Sequence, residues 1–252
     1  MQVIVNDLLT NYQVIESKNG LNILFLHGWG DSIEGQRDFL NTLSGIGMVT
    51  ALDLPGFGSS QMPQRAWTIF DYAKFVSEFC QKVKLGKIDL IIGHSNGGAI
   101  AIKAIASEVI KPTRAVLIGA SGIRASSSTR AKALLVATKT GKAISSPFPK
   151  SIKNKLRSKV YESVGSDMLV AEHMKETFKN VVSDDLQEDA KNVNIPVLLI
   201  YGELDKSTPT KYGLIYHELM ANSTFEIVGG AGHFVQQEKP EIVEQLIKDF
   251  VS

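Results

Sequence analysis

The 252-residue chain has one cysteine, Cys80, so no internal disulfide and no cysteine-based zinc cluster can form within it. It also lacks a charge bias. The 27 Lys+Arg and 26 Asp+Glu leave a formal charge of +1, which offers nucleic acid no global attraction. No apolar run approaches the roughly 20 residues that a membrane helix needs. Residues 1–7 carry neither a basic n-region nor a sustained apolar stretch, so a signal peptide is not expected. Repeats and low-complexity tracts are missing as well. These absences lead to the expectation of a cytoplasmic protein that uses neither nucleic acid nor membrane as a partner. What is present, 44% apolar and 21% charged residues, is the balance of a globular protein with room for a large core.

Short apolar runs rich in β-branched residues recur between helix-length segments at 22–27, 48–54, 88–93, 114–120, 195–202 and 224–228. That alternation predicts an α/β fold, a mostly parallel sheet with helices on both faces. Residues 2–5 and 11–16 are expected as an antiparallel edge. Tyr72, Phe75, Val76, Phe79, Cys80 and Val83 recur at helical spacing and form one apolar stripe, which places Cys80 in packing rather than chemistry. The alternation breaks once, over 121–191, where helical segments without a convincing strand suggest an inserted cap. Residues 1–120 and 192–252 are then the core. The insert is bipartite in charge: ten Lys/Arg and no acid in 123–160, then eight acids against Lys175 and Lys179 in 161–190. Such halves can simply attract each other, or the basic half can form a rim that steers an anionic substrate or an acidic carrier protein.

The sharpest motif is Gly93-His94-Ser95-Asn96-Gly97-Gly98, preceded by an apolar strand and followed by a small-residue helix. A Gly-x-Ser-x-Gly in that frame is a nucleophile elbow, a tight turn that projects a serine Oγ from the sheet edge. A serine needs a base and an orienting acid. His233, in a glycine-rich loop after the last strand, is the expected base. Asp205, just after the 195–202 run, is the expected acid, with Glu203 next in line. The tetrahedral intermediate needs two N–H donors, expected from the backbone of Asn96 and, in the loop His27-Gly28-Trp29-Gly30, of Trp29. His27 reads as structural, and His94 as a neighbour of Ser95. His173 and His217 have no partners at ligand spacing, so no metal is expected.

Taken together, His27-Gly28-Trp29-Gly30, Asp53-Leu54-Pro55-Gly56-Phe57-Gly58, Gly93 to Gly98, Asp205 and Gly232-His233 resemble the α/β-hydrolase superfamily, in its order and approximate spacing. Within it, the chain is similar to the capped branch of carboxylesterases, pimeloyl-carrier methyl ester esterases, meta-cleavage-product hydrolases and lactonases. The resemblance implies an eight-stranded sheet, a lid between strands six and seven, and a Ser-His-Asp mechanism that uses no cofactor. It also implies a structural role for the 53–58 loop. Asn96 departs from the Met, Leu or Gln of many relatives. The expected activity is carboxylic-ester hydrolysis through an acyl-enzyme on Ser95. Lactone, carrier-linked methyl ester and carbon–carbon hydrolysis are alternatives with the same triad, and a small-ligand receptor is a more distant one. Trp67, Tyr72, Leu134, Leu135, Phe148, Met168 and Phe178 are candidates to line the pocket.

Overall fold

A computed structural model describes residues 1–124 and 174–252. Its strands are β1 (Gln2–Val5), β2 (Leu8–Ile15), β3 (Asn22–Leu26), β4 (Met48–Leu52), β5 (Leu90–His94), β6 (Arg114–Ile118), β7 (Val197–Gly202) and β8 (Ser223–Val228). They form one sheet in the order β1-β2-β4-β3-β5-β6-β7-β8. Every pairing from β4 to β8 is parallel, while β2 runs antiparallel to both β1 and β4. This is the mostly parallel sheet expected from the alternation, with the eight strands of the α/β-hydrolase fold that the resemblance implies. One detail of the edge differs: β2 begins at Leu8. Asn6 and Asp7 both take positive φ, the geometry of a tight hairpin turn, so the first half of β2 pairs with β1 and the second half with β4. The β7 run likewise starts at Val197, because Pro196 has no N–H to give a ladder.

Strand side chains alternate between two cores. Leu24, Leu26, Ile91, Leu117, Leu199 and Tyr201 face one side, where α2 (Ile69–Lys82) and α3 (Asn96–Ala106) pack. Ile23, Phe25, Ile92, Val116 and Ile200 face the other, covered by α1 (Arg37–Leu43). The predicted stripe of α2 is real. Tyr72, Phe75, Val76 and Phe79 are buried, and the helix starts at a capping box in which Thr68 and Asp71 satisfy each other's backbone N–H. Cys80 packs partly buried beside them, and burial pushes its thiol up to about 12, which keeps it protonated and unreactive at neutral pH.

Between β6 and β7 the described residues contain α4 (Lys175–Ser183) and α5 (Gln187–Ala190). Most of the expected cap, including Leu134, Leu135, Phe148, Met168 and nearly all of its basic half, lies outside the described residues. Its two ends meet: Leu186 N–H donates to the Gly122 carbonyl at 2.8 Å. Two buried phenols brace the departing strand, Tyr201 Oη donating to Ala120 O at 2.9 Å and Tyr216 Oη to Ser121 O at 2.6 Å. Tyr216 belongs to α6 (Thr210–Leu219). The chain closes with α7 (Val235–Glu238) and α8 (Pro240–Val251) on the α1 face.

Candidate active site

In this strand order the chain leaves β3 toward β4 but later leaves β5 toward β6. The carboxyl ends of β3 and β5 therefore diverge at a topological switch point, where open α/β sheets place their crevices. The loop after β3 carries Trp29, and the residue after β5 is Ser95. Ser95 has φ 51° and ψ −112°, a left-handed backbone that a side-chain-bearing residue adopts only under constraint. The constraint is visible. Its N–H is held by Ile118 O at 2.9 Å, and its own carbonyl accepts from Ala99 and Ser121, both at 3.1 Å. The glycines around it are demanded by space. A Cβ on Gly97 would sit 2.1 Å from Leu26 O, and one on Gly93 would sit 2.5 Å from Gly97 O.

The predicted base and acid come together. His233 Nδ1 lies 2.7 Å from Asp205 Oδ2, with the Asp205 side chain fully buried. Since the carboxylate can only accept, Nδ1 carries the proton and Nε2 keeps the lone pair. Burial works to raise the Asp205 pKa. The hydrogen bond and charge of His233, followed by donors from Thr208, outweigh it and hold the carboxyl below its ordinary range. Asp205 Oδ1 accepts from the Ser207 and Thr208 N–H groups at 2.8 and 2.9 Å. Glu203 is exposed and accepts from Gly230 N–H, apart from this pair. Thr208 had no sequence signal: its Oγ1 reaches Asp205 Oδ2 at 2.7 Å, Gly119 O at 2.9 Å and His233 Nδ1 at 3.1 Å. The six residues between Gly202 and Pro209 include both Ser207 and Thr208, so the sequence could have flagged Thr208 only as one hydroxyl of two.

A cavity of about 430 Å³ opens over Ser95 and His233. Trp29 and Asn96 line it, and Phe178 of α4 packs against the Trp29 ring at a tilt, ring centres 5.2 Å apart. Asn96 is the first residue of α3, so its N–H has no partner within the helix and stands at the positive helix end. The Trp29 loop is close by, since a Cβ on Gly28 would touch Ser95 Cβ at 3.4 Å. Of the other pocket candidates, Tyr72 and Trp67 are core residues that meet edge to face, ring centres 5.0 Å apart.

The neighbouring histidines separate by their partners. His27 Nε2 accepts from Leu54 N–H at 2.9 Å, so its Nδ1 is the protonated nitrogen and donates to Gly28 O at 2.7 Å. That ring is a strut between two loops, and burial lowers its pKa. His94 Nε2 donates to His233 O at 3.1 Å, tying the elbow to the His233 loop. Burial, and then the neighbouring His233, bring the His94 pKa down to about 3, so it is neutral at working pH. His217 is bonded to Ser223 Oγ at the surface, and His173 lies outside the described residues. Among the described residues no group of His, Cys, Asp or Glu could hold a metal, and no helix is long and apolar enough to cross a membrane.

The family model described as the alpha/beta hydrolase family matches residues 23–246, which spans the elbow, Asp205 and His233. The chain belongs to the alpha/beta hydrolase family. This hydrolase is 26% identical over 255 residues to an uncharacterised hydrolase of Bacillus subtilis, YugF, covering 95% of this chain and 93% of that one. It is also 26% identical to a pimeloyl-[acyl-carrier protein] methyl ester esterase of Neisseria meningitidis, over 91% of this chain and 93% of the relative. Among solved structures, a bacterial membrane phospholipase A superposes with a TM-score of 0.77 at 22% identity, over 100% of the hydrolase and 84% of that chain, a likeness of fold.

Proposed function

We propose that this hydrolase cleaves carboxylic esters through an acyl-enzyme on Ser95. The observation that carries the reading is the 2.7 Å His233–Asp205 pair, whose His233 lines the same cavity as a serine held at φ 51°. In this reading Ser95 Oγ attacks the ester carbonyl as His233 Nε2 takes its proton. The imidazolium that forms is stabilised by Asp205, and His233 then returns the proton to the leaving alkoxide. The Trp29 and Asn96 backbone amides receive the oxyanion. Water deprotonated by His233 then releases the acid. No step calls for a cofactor or metal, and the protein would act in the cytoplasm on a small-molecule ester.

The test is hydrolysis of p-nitrophenyl esters from acetate to decanoate by the native protein, Ser95→Ala and His233→Ala, with folding checked by circular dichroism. Turnover that peaks at short to medium chains and vanishes in both variants supports the reading; turnover that survives Ser95→Ala sinks it. A carrier-linked methyl ester is a second substrate class. It is favoured by the Neisseria relative and by the run of ten Lys/Arg without an acid in 123–160. Reversing Lys150, Lys153 and Lys155 to Glu should then raise KM for a carrier-bound ester at least tenfold while small-ester turnover persists.

A further inference from the structure

Two residues that line the cavity carry polar side-chain atoms without partners among the described residues. Asn96 is 2% exposed, yet among the described residues neither its Nδ2 nor its Oδ1 has a hydrogen-bond partner. Trp29, 7% exposed, leaves its indole Nε1–H unpaired in the same way. Both residues line the cavity over Ser95. Buried polar groups are ordinarily paired, because each unpaired one forfeits its bonds to water without replacement. A side chain at position 96 could avoid that cost by being apolar. Among the described residues the carboxamide therefore has no compensating bond, and a group that enters the cavity is one that could supply it.

We propose that the Asn96 carboxamide selects substrates bearing a hydrogen-bonding oxygen close to the scissile carbonyl, with the Trp29 indole N–H as a second donor. The inference rests on the ester-hydrolase reading and narrows its substrate class to esters or lactones with an oxo, hydroxyl or amide substituent. Geometry limits the distance. Asn96 directly follows Ser95, so a group within its reach lies a few bonds from the carbon that Ser95 attacks. The carboxamide offers one acceptor and two donor hydrogens, so it can pair with a carbonyl, a hydroxyl or an amide. An apolar ester would leave all of them unpaired, which discriminates more strongly than a missing methylene does. Arg124 adds positive charge on the same lining, its guanidinium donating only to the Val181 and Asp184 carbonyls among the described residues.

The experiment uses two near-isosteric substrate pairs. Methyl 3-oxobutanoate against methyl 3-methylbutanoate varies the acyl side, and 2-hydroxyethyl butanoate against propyl butanoate varies the alcohol side. Specificity is read as the kcat/KM ratio within each pair, for the native protein, Asn96→Leu and Trp29→Phe. The expected result is that Asn96→Leu lowers the polar-to-apolar ratio of at least one pair by about tenfold or more, and Trp29→Phe lowers it less. Intrinsic reactivity differences cancel between proteins. A ratio unchanged in both pairs, with both rates moving together, overturns the proposal and leaves Asn96 a packing residue. Calorimetric binding of the same esters to Ser95→Ala, with and without Asn96→Leu, decides the matter independently of turnover. A preference for the polar ester that disappears with Leu sustains the proposal even if ester hydrolysis itself fails, and equal binding of both members overturns it.

Discussion

Two polar clusters sit at the same edge of the sheet and are finished differently. In the first, after β4, buried Asp53 accepts from Ile33 N–H at 2.7 Å on Oδ1, and from Asn11 Nδ2 and Ser59 N–H, both at 2.8 Å, on Oδ2. The His27 ring beside it has both nitrogens occupied. In the second, around Ser95, the Asn96 carboxamide, the Trp29 indole and His94 Nδ1 have no partners among the described residues. The closed cluster joins loops to one another; the open one keeps its bonding capacity for whatever enters. Saturation of hydrogen bonds thus separates scaffold from site where burial and sequence motif do not, since both clusters are buried and both belong to the family pattern.

Substitutions on the two sides should break differently. Ser95→Ala should remove about 10⁴-fold or more of kcat, while the unfolding free energy measured in urea stays near native. Asp53→Ala should do the opposite, costing about 3–5 kcal/mol of stability by stripping three donors of a charged acceptor, with any loss of turnover following the loss of folded protein. A smaller effect comes from His94. It is neutral in the fold with a pKa of about 3 and free to protonate near 6.5 when unfolded, so the unfolded state binds the extra proton as pH falls below 6.5. Its contribution should lower stability by roughly 2 kcal/mol between pH 7 and pH 5. His94→Asn should flatten that part of the profile in urea titrations at the two pH values; an unchanged slope would mean that His94 titrates normally. The smallest effect belongs to Thr208→Val, which removes one donor to Asp205. The Asp205 pKa should rise, and kcat should drop by about tenfold.

The sequence made the scaffold readable wherever a period or a steric demand was written into it. Strands β3 to β7 stood out because they are buried on both faces and so became short apolar runs. The helix α2 stood out by its stripe, and Ser95 by glycines whose absent Cβ atoms the Leu26 and Gly97 carbonyls require. Asp205 and His233 were placed by their position after strands. The antiparallel edge was read, but the tight turn at Asn6–Asp7 and the start of β2 at Leu8 were missed, because either turn residue also suits an ordinary loop. Thr208 and the unpaired state of Asn96 were beyond reach for a different reason: each depends on what stands opposite in space, and no local pattern encodes an unfilled partner. Trp67 and Tyr72 show the converse, aromatic residues whose periodicity fits pocket and core alike and which the fold assigns to the core.

The bond between Leu186 N–H and Gly122 O has an evolutionary consequence. It shuts the stem from which the chain departs after β6 and to which it returns before β7, and the Tyr201 and Tyr216 hydroxyls pin that stem to the sheet. Closure entropy grows only slowly with the length of what is threaded through such a stem. Lineages can therefore lengthen, shorten or exchange the intervening segment as a cassette without retuning the sheet beneath it, and substrate preference can drift while the Asp205–His233 pair stays registered to Ser95.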